Sequence, residues 1–368
     1  MSSTNEKLDL LFRHEYGRLV ALFTNRYAAH MIDQIEDAVQ EALYKAEKNW
    51  SYHQVPDNPQ AWTYRVANNS LIDSLRKLKR ETHMDEVPET EYHEESFSQD
   101  ELVDEQLQMI FACCHPAMTT TEQLMLSLKL LCGLSVKEIA RALLKQGEAT
   151  KKAITRAKKK FKEQVGELKV PLGSELTQRM EAVLQVIYLL FNEGYKATTG
   201  GELMRNDLCE EAIRLAFLLT NVKDCNDADL NALISLMLFI SARFPARQDA
   251  DGNLVTLEHQ DRSLYDQEYI DWAWKFLKES STHQGESVYQ LEAAISYYYT
   301  RAKNYEATNW KVILGLYDRL ATLKPSPVVL ISRLLVSSKV EGAAKALVEM
   351  DALEETIEVN QSFCSIES

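Results

Sequence analysis

Apolar residues recur at helical spacing through the first 80 residues. A stripe over residues 7–30 contains Leu8, Leu11, Phe12, Tyr16, Leu19, Val20 and Phe23. A second stripe over residues 33–50 contains Ile35, Ala38, Val39, Ala42, Leu43 and Ala46, and a third over residues 58–80 contains Trp62, Val66, Leu71, Ile72 and Leu75. Asn58 before Pro59 suits an N-cap and a first helical position. Three amphipathic helices without a strand pattern predict a small helical domain over residues 1–80.

The helical pattern resumes near residue 101 and leads into a more specific arrangement. Ser135 and Glu138 have the spacing of a capping box, which opens a short helix. Gly147 lies in a tight connection, and a second helix follows whose apolar positions are Ile154, Ala157 and Phe161. A short helix, a turn and a second, basic helix predict a helix-turn-helix domain over residues 106–168.

Helical segments also follow one another from residue 174 to the end of the chain. Trp310 and Tyr317 on one helix, followed by Pro325 and Pro327, resemble a tetratricopeptide (TPR) unit loosely, although no strict repeat is visible. One non-helical stretch suggests a turn at Asp251 and Gly252 between extended residues. We therefore expect an all-α protein whose residues 174–368 form a helical, TPR-like extension.

Composition agrees with a soluble helical protein of several domains. The chain has 368 residues, of which 45% are hydrophobic, and only 12 are Gly. A chain of this length predicts two or three domains. No apolar run is long enough to span a bilayer, and the N-terminus lacks the core of a signal peptide, so we expect a cytoplasmic protein without a membrane partner. Six irregularly spaced Cys indicate reduced thiols.

Charge is distributed unevenly within a formal net charge of -14. Residues 1–80 balance at about +1 and residues 106–165 reach about +7. Residues 81–105 between them contain only acidic charges, which predicts an acidic flexible linker. Residues 166–368 carry about -11, so most of the acidity lies in the extension.

The basic helix is the first candidate for a nucleic-acid contact. Its cations are Lys151, Lys152, Arg156, Lys158, Lys159, Lys160 and Lys162. The narrow apolar seam can dock the helix on its domain while the cations face phosphates. A lysine-rich helix is more often only a solvated surface, but the preceding capped helix and turn favour DNA contact. Few side chains suited to base edges are present, so specific base recognition is less strongly indicated.

A second basic cluster lies in residues 58–80. It combines Trp62, Tyr64, Asn68 and Asn69 with Arg76, Lys77, Lys79 and Arg80. Aromatic rings beside amides and cations suit the capture of bases removed from a duplex. Trp62 alone is better interpreted as a core residue. Asn68, Asn69 and the basic end lie off the apolar face, which favours a functional role.

Two of these segments resemble known motifs in the correct order. Region 2 of the extracytoplasmic-function (ECF) group of bacterial sigma-70 factors is similar to "DQIEDAVQEALYKAEKNW" followed by "NPQAWTYRVANNSLIDSLRKLKR". Region 4 of that group is similar to "LSVKEIARALLKQGEATKKAITRAKKKF". The remaining chain, with "IFACCHP", "YLLFNEGY", "QDRSLYD" and "WKVILGLYDRLATLKPSPVV", resembles the ECF subgroup that has a helical C-terminal extension.

The resemblance implies a function and assigns residues to it. It implies a non-catalytic subunit that binds RNA polymerase core, recognises promoter double-stranded DNA at two elements and captures the melted -10 strand. The polymerase-binding residues are then Asp37, Gln40, Glu41 and Lys45. The -10 element is assigned to Trp62, Tyr64, Asn68, Asn69, Asp73, Arg76, Lys77 and Arg80. The -35 element is assigned to Lys151, Lys152, Thr155, Arg156, Lys158, Lys159 and Lys160, although Thr150 occupies a slot that is usually apolar.

No residue pattern indicates an enzyme, a cofactor or a metal site. Cys113, Cys114 and His115 lack the spacing of a zinc site, so a partly buried pair at a helix end is the favoured interpretation. The turn near residue 252 does not have the glycine position of a calcium loop. No phosphate loop, HExxH motif or nucleophile elbow is present. The polar residues Asn192, Glu193, Gly194, Gln260, Asp261 and Arg262 suit either a ligand pocket or helix capping, and capping is favoured.

The acidic extension leaves two further hypotheses. Fused to basic DNA-binding modules, it could contact them within the chain and restrain or license their activity by shielding. The alternative class is a one-component regulator, in which the helix-turn-helix binds an operator and the C-terminal domain binds a small molecule. An enzyme in the C-terminal domain is a third class, which co-purification of a cofactor would indicate.

Overall fold

The computed structural model describes residues 2–50, 55–82, 99–143, 145–195, 206–249, 253–282 and 285–351. The helices of the N-terminal part are α1 (Ser2–Tyr27), α2 (Ile32–Trp50), α3 (Pro59–Thr82), α4 (Gln99–Cys113), α5 (Thr120–Leu126), α6 (Val136–Ala142), α7 (Gly147–Gln164), α8 (Ser174–Tyr195) and α9 (Asn206–Leu219). Those of the C-terminal part are α10 (Ala228–Ser241), α11 (Gln267–Ser280), α12 (Val288–Arg301), α13 (Trp310–Leu323) and α14 (Pro327–Val340). A further helical segment covers residues 343–351.

The all-α fold class is confirmed. Within the described ranges the extended backbone pairs only at the isolated bridge between Gln248 and Leu254. This bridge belongs to the non-helical stretch expected around a turn, and the turn residues Asp251 and Gly252 lie outside the described part. The chain divides into two compact units, residues 1–225 and residues 226–368.

Local capping explains where several helices begin. Asn58 Oδ1 accepts a hydrogen bond of 2.9 Å from the Ala61 backbone N–H, and α3 begins at Pro59. Ser135 and Glu138 form the expected capping box at α6, in which the Ser135 N–H donates to Glu138 Oε2 over 2.8 Å. These caps satisfy backbone donors that have no partner in the first helical turn.

In unit 1, the first three helices form a bundle whose core is apolar. Leu19 and Phe23 of α1, Val39 of α2, and Leu71 and Leu75 of α3 are buried. The small residues of the α2 stripe allow α3 to pack closely along it, since Ala side chains leave room for a neighbouring helix. This bundle carries the predicted polymerase and -10 residues.

Helices α4–α7 form a second layer of unit 1 that packs directly on α1. α5 continues into a π-helical turn, Ser127–Leu131, which lies against α1. A methyl group in place of hydrogen at Gly17 would lie 2.0 Å from the Leu131 carbonyl oxygen, so α1 approaches this turn as closely as a backbone can. Gly133, at a φ of 65°, lies against the Tyr16 ring.

The linker and the extension have different bounds from those predicted. α3 reaches Thr82 and α4 begins at Gln99, so residues 81–82 and 99–105 of the predicted linker are helical, and residues 83–98 lie outside the described part. α8 and α9 belong to unit 1, whose limit is Cys225, whereas the predicted extension begins at residue 174.

Contacts of α8 and α9 explain why they belong to unit 1. Arg179 of α8 donates to the Phe111 carbonyl oxygen, and Arg214 of α9 donates to Gln106 Oε1 over 3.2 Å. Glu211, also on α9, accepts from Arg214 and lies 3.1 Å from His14 of α1. Buried polar contacts therefore hold α8 on α4, and α9 on α1 and α4.

Unit 2 is built around α10. Its residues 228–246 are apolar enough and long enough to cross a membrane, but 67% of that stretch is buried, and α10 packs on α11 and α12, as expected of a core helix. A second apolar cluster joins α12, α13 and α14 through Ile313 and Leu320. Consecutive helices of unit 2 thus pack as neighbours.

Candidate nucleic-acid and polymerase interfaces

The predicted polymerase-binding residues lie together on the exposed side of α2. Asp37, Gln40, Glu41 and Lys45 are all exposed. Lys45 Nζ lies 2.7 Å from Glu41 Oε1, and the Ser70 hydroxyl of α3 also donates to Glu41. Hydrogen bonds from Lys45 and then Ser70 lower the pKa of Glu41, so this carboxylate is ionised at neutral pH. These side chains therefore form a polar, charged surface that takes no part in the hydrophobic core of the bundle.

The C-terminal part of α3 presents most of the predicted -10 residues to solvent. Asn69, Asp73, Arg76 and Lys77 are exposed, and Arg76 lies 3.6 Å from Asp73. The side chain of Arg80 lies outside the described part of the chain. Amide and basic groups are thus available for bases and phosphates along this helix end.

Asn68 does not lie off the apolar face, and this part of the prediction is wrong. Its side chain is 5% exposed, and its Oδ1 accepts a hydrogen bond of 3.2 Å from the Tyr27 hydroxyl of α1. A buried amide that is bonded to a neighbouring helix fixes the packing of α3 on α1. Asn68 therefore contributes to the bundle, and Asn69 is the exposed amide.

Trp62 and Tyr64 are engaged in packing within the bundle. The ring centroids of Trp62 and Trp50 are 5.6 Å apart, and Tyr64 stacks on Phe23 at 5.4 Å. Arg26 also donates to the Tyr64 hydroxyl over 2.7 Å. Both side chains are only partly exposed, so only their exposed edges are available for the predicted contact with bases.

Helix α7 has the predicted apolar seam and an exposed basic surface. Ile154, Ala157 and Phe161 are buried. Thr150 is also fully buried, and its hydroxyl donates to the Gln146 carbonyl oxygen over 3.0 Å. Thr150 thus occupies the apolar slot with its polar atom satisfied inside the helix. The residues exposed on the other faces are Lys151, Lys152, Thr155, Arg156 and Lys159.

Two of the predicted -35 residues instead pair with carboxylates of unit 1. Lys160 Nζ lies 2.7 Å from Glu122 of α5. Lys158 pairs with Glu36 and lies 3.1 Å from Asp33 Oδ1, both on α2. The prediction that Lys158 faces outward toward DNA is wrong for this conformation, because Lys158 pairs with carboxylates at the beginning of α2. Lys160 is paired with α5 but its side chain remains 40% exposed.

Glu36 is the centre of this contact. It is 2% exposed, accepts a hydrogen bond of 2.8 Å from the Tyr16 hydroxyl and lies 3.4 Å from Lys129 Nζ. We call the group formed by Tyr16, Asp33, Glu36, Lys129, Lys158 and Lys162 the Glu36 cluster. A buried carboxylate requires such partners, because an isolated buried charge is strongly unfavourable.

The pKa values of the cluster reflect these ion pairs. Burial alone would lower the pKa of Lys158, but attraction to Glu36 and hydrogen bonds to Glu36 and Asp33 raise it. Burial alone would raise the pKa of Asp33, but hydrogen bonds from Lys162 and Lys158 lower it. Each group is therefore held in its charged form near neutral pH.

Sequence reasoning missed Asp33, Glu36, Lys129 and Lys162 as members of a site. One signal was present, because Glu36 stands among the apolar positions Ile32, Ile35 and Val39 of the α2 stripe. A carboxylate within an apolar stripe indicates a buried charge with a partner on another element. The identity of that partner was not visible in the local pattern.

Four of the remaining candidates have structural roles. Cys113 and Cys114 lie at the end of α4 as expected, but they are fully rather than partly buried, and burial raises the pKa of Cys114 to about 12. Asp261 caps a helical turn by accepting from the Ser263 N–H over 2.9 Å. Arg262 donates to the Tyr299 and Ala302 carbonyl oxygens at the end of α12. Capping is thus confirmed for these last two residues.

Comparison with known proteins identifies the N-terminal bundle. Residues 11–81, which span most of α1–α3, match the sigma-70 region 2 family. Residues 179–281 match a family of unknown function (DUF6596). An uncharacterized protein of Rhizobium meliloti strain 1021 is 37% identical over 350 residues, which cover 93% of this chain and 81% of that protein. No solved structure matches the chain.

The helical bundle and the region 2 match define residues 11–81 as a sigma-70 region 2 domain, a non-enzymatic domain whose family implies RNA polymerase core and promoter DNA as partners. The chain belongs to one family with the uncharacterized Rhizobium meliloti protein, and its residues 11–81 are a sigma-70 region 2 domain. A domain of this kind indicates a role in transcription initiation.

Proposed function

We propose that the chain is an ECF-type sigma factor that recognises two promoter elements and carries a regulatory helical extension. The region 2 match over the three-helix bundle carries this proposal, and most of the residues assigned to polymerase and to the -10 element are exposed on the bundle. Its α2 face (Asp37, Gln40, Glu41, Lys45) binds core polymerase. The end of α3 (Asn69, Asp73, Arg76, Lys77, Arg80) contacts the -10 element and its melted strand.

Helices α6 and α7 support a second DNA contact. A short capped helix precedes α7, and α7 docks through a buried seam while Lys151, Lys152 and Arg156 remain exposed. In this proposal α7 enters the major groove of the -35 element, and its cations contact phosphates. The predominance of Lys over Arg and Asn favours backbone contacts, so promoter selectivity depends on both elements together.

The two DNA contacts become effective through polymerase. Each basic surface is small, and the chain as a whole is acidic, so neither binds DNA strongly alone. When core polymerase holds both modules, the second contact forms at high effective concentration. A free chain that binds DNA poorly and a holoenzyme that binds a promoter are the expected consequence.

Reconstituted transcription tests the proposal. The full chain is mixed with core polymerase and genomic promoter fragments, and transcripts are mapped against core alone. We expect new start sites that require the chain, and their loss when Glu41→Ala and Lys45→Ala are combined. The control Glu167→Gln removes an exposed charge outside both helices and should initiate normally. Initiation that is identical with and without the chain would refute the proposal.

We extend the proposal to regulation by unit 2. It carries about -8 of the net charge, which suits electrostatic shielding of basic modules within the chain. A deletion test must cut after Cys225, because a cut near residue 175 would also remove α8 and α9 from unit 1. We expect removal of residues 226–368 to change promoter-dependent transcription severalfold. Unchanged transcription would exclude a regulatory role.

A further inference from the structure

Unit 2 contains a cavity to which the proposed function assigns no role. Its volume is about 510 Å³, and residues of α12, α13, α14 and the non-helical segment 256–258 line it. Four of the lining side chains are aromatic, namely Tyr299, Tyr305, Trp310 and Tyr317. Small-molecule sites are concave, largely apolar and about 300–1,000 Å³ in volume, so the size and the lining of this cavity suit a ligand.

The aromatic side chains of the cavity hold one another in place. The Trp310 ring meets the rings of Tyr299 and Tyr305 edge to face, with centroid distances of 5.9 Å and 5.0 Å. The hydroxyls of Tyr299 and Tyr317 share a hydrogen bond. Burial raises the pKa of both tyrosines, so both hydroxyls stay protonated near neutral pH. The aromatic wall is therefore neutral, and it suits the packing of a further planar ring.

The exposed edge of the cavity carries one cation and one anion. Lys339 of α14 donates a hydrogen bond to the Tyr305 hydroxyl, and its Nζ lies 5.4 Å from the centroid of that ring. This hydrogen bond raises the pKa of Lys339, so the amine is charged at neutral pH. Glu258 lines the same cavity and attracts Lys339. Both side chains are exposed and therefore accessible to a ligand.

Buried polar contacts fix the segment that carries Glu258. The Gln260 side chain is 8% exposed and donates to the Val255 carbonyl oxygen over 3.0 Å. Arg262 donates to the carbonyl oxygen of Tyr299, whose ring lines the cavity. The segment is thus tied to the end of α12, and Glu258 is held beside the aromatic wall. A site whose parts are fixed in advance costs less free energy to order when a ligand binds.

We propose that this cavity binds a small aromatic zwitterion, in which a ring system of one or two rings carries an ammonium group and a carboxylate on a short chain. The ring system packs against Trp310 and the tyrosines. The carboxylate pairs with Lys339, and the ammonium group pairs with Glu258. One charge of each sign beside an aromatic wall favours a ligand that has both charges over a ligand that has only one.

Isothermal titration calorimetry of the full chain with three matched probes tests the proposal. L-Tryptophan has both charges, indole-3-propionate has only the carboxylate, and tryptamine has only the ammonium group. We expect saturable binding of L-tryptophan, and an affinity about three- to tenfold lower for each of the other two probes. Absence of saturable L-tryptophan binding at millimolar concentration, or equal affinity for all three probes, would overturn the inference.

Two substitutions at the exposed edge test which residue pairs with which charge. Lys339→Met should weaken the binding of L-tryptophan and indole-3-propionate without weakening that of tryptamine. Glu258→Gln should weaken the binding of L-tryptophan and tryptamine without weakening that of indole-3-propionate. Each variant lacks the partner of only one ligand charge, which is why the two patterns differ. Because both side chains are exposed, both variants should fold like the parent chain.

Lys278→Met is the matched control for these variants. Lys278 also lies over an aromatic ring, 5.6 Å from the centroid of Trp274 on α11, but it does not line the cavity. This control should bind all three probes like the parent chain. The inference fails if Lys339→Met and Glu258→Gln alter the binding of the three probes equally, or no more than Lys278→Met does. The titrations contain neither polymerase nor DNA, so their outcome is independent of the proposed function.

Discussion

At the residue scale, burial distinguishes side chains that the sequence placed together. Asn68 and Asn69 are neighbours of the same type, yet the first is buried against Tyr27 and the second is exposed. Successive helical residues point in directions about 100° apart, so one can face the core while the next faces solvent. Their substitution should therefore have different effects.

We predict that Asn68→Ala destabilises unit 1 by about 1 kcal/mol, because the Tyr27 hydroxyl loses its acceptor. Asn69→Ala should leave stability unchanged and reduce the yield of melted promoter complexes. Urea unfolding and permanganate footprinting of the promoter measure the two effects. Equal stability of the two variants would contradict the structural role of Asn68.

Gly17 provides a second prediction at this scale. Gly17→Ala places a methyl group 2.0 Å from the Leu131 carbonyl oxygen, so α1 must shift away from the π-helical turn. We expect a loss of about 1–3 kcal/mol in the unfolding free energy of unit 1, the usual cost of overpacking. Gly315→Ala is the matched control, because its methyl group meets no atom within 4 Å and it lies in α13 of unit 2.

Gly315→Ala should stabilise unit 2 by about 0.5–1 kcal/mol, the advantage of Ala over Gly within a helix. A Gly17→Ala protein as stable as the parent would show that α1 does not pack on the turn as closely as the structure indicates. Denaturant unfolding followed by circular dichroism is sufficient for both variants.

At the scale of the element, α7 has three faces. One is the buried apolar seam, the second carries the lysines of the Glu36 cluster, and the third is exposed. Lys151 and Lys152 lie on the exposed face, and in the proposed function they contact phosphates of the -35 element. Replacing both with Gln should reduce the slope of log K against log[salt] for duplex binding by about 2, because two fewer counterions are released. Fluorescence anisotropy over a series of salt concentrations measures the slope.

Lys169→Gln removes an exposed charge that lies beyond α7 and should leave the slope unchanged. An unchanged slope in the Lys151 and Lys152 variant would exclude α7 as a phosphate-binding helix. The comparison also separates a specific contact from the general effect of net charge, which both variants alter.

At the scale of the whole molecule, the division at Cys225 predicts two unfolding transitions. Unit 1 contains the buried Glu211. Burial alone would raise its pKa, but hydrogen bonds and attraction from Arg214 and His14 lower it to about 2. A carboxylate whose pKa is lowered in the folded state stabilises the fold at pH values above its ordinary pKa. This contribution is lost as the pH falls from about 4.5 toward 2.

We therefore expect acid to lower the stability of unit 1 in that pH range, by an amount on the order of 3 kcal/mol from this group. Glu211→Gln should remove that part of the pH dependence and also destabilise unit 1 at neutral pH, because Arg214 then lacks its carboxylate partner. Glu341→Gln, in unit 2, should leave the unit 1 transition unchanged. A pH dependence of unit 1 that is the same with and without Glu211 would contradict this assignment.

Residues close together in the sequence were enough to predict the helices, their caps and the sigma-70 region 2 domain. Asn58 with Pro59 and Ser135 with Glu138 specify helix starts, because a cap depends only on residues within one turn. The exposed face of α2 and the seam of α7 also followed from periodicity, since burial along a helix repeats with its turn.

Which polar groups are buried and which helices share a unit became visible only in the folded chain. Asn68 is buried by α1, Lys158 is paired by α2, and α8 with α9 belongs to unit 1 because of contacts with α1 and α4. These outcomes depend on contacts with residues that are distant in sequence. A local pattern shows that a residue is polar, but it does not show which group in the folded protein that residue contacts. The physical reason is that the free energy of a buried charge or amide is set by its neighbours in space.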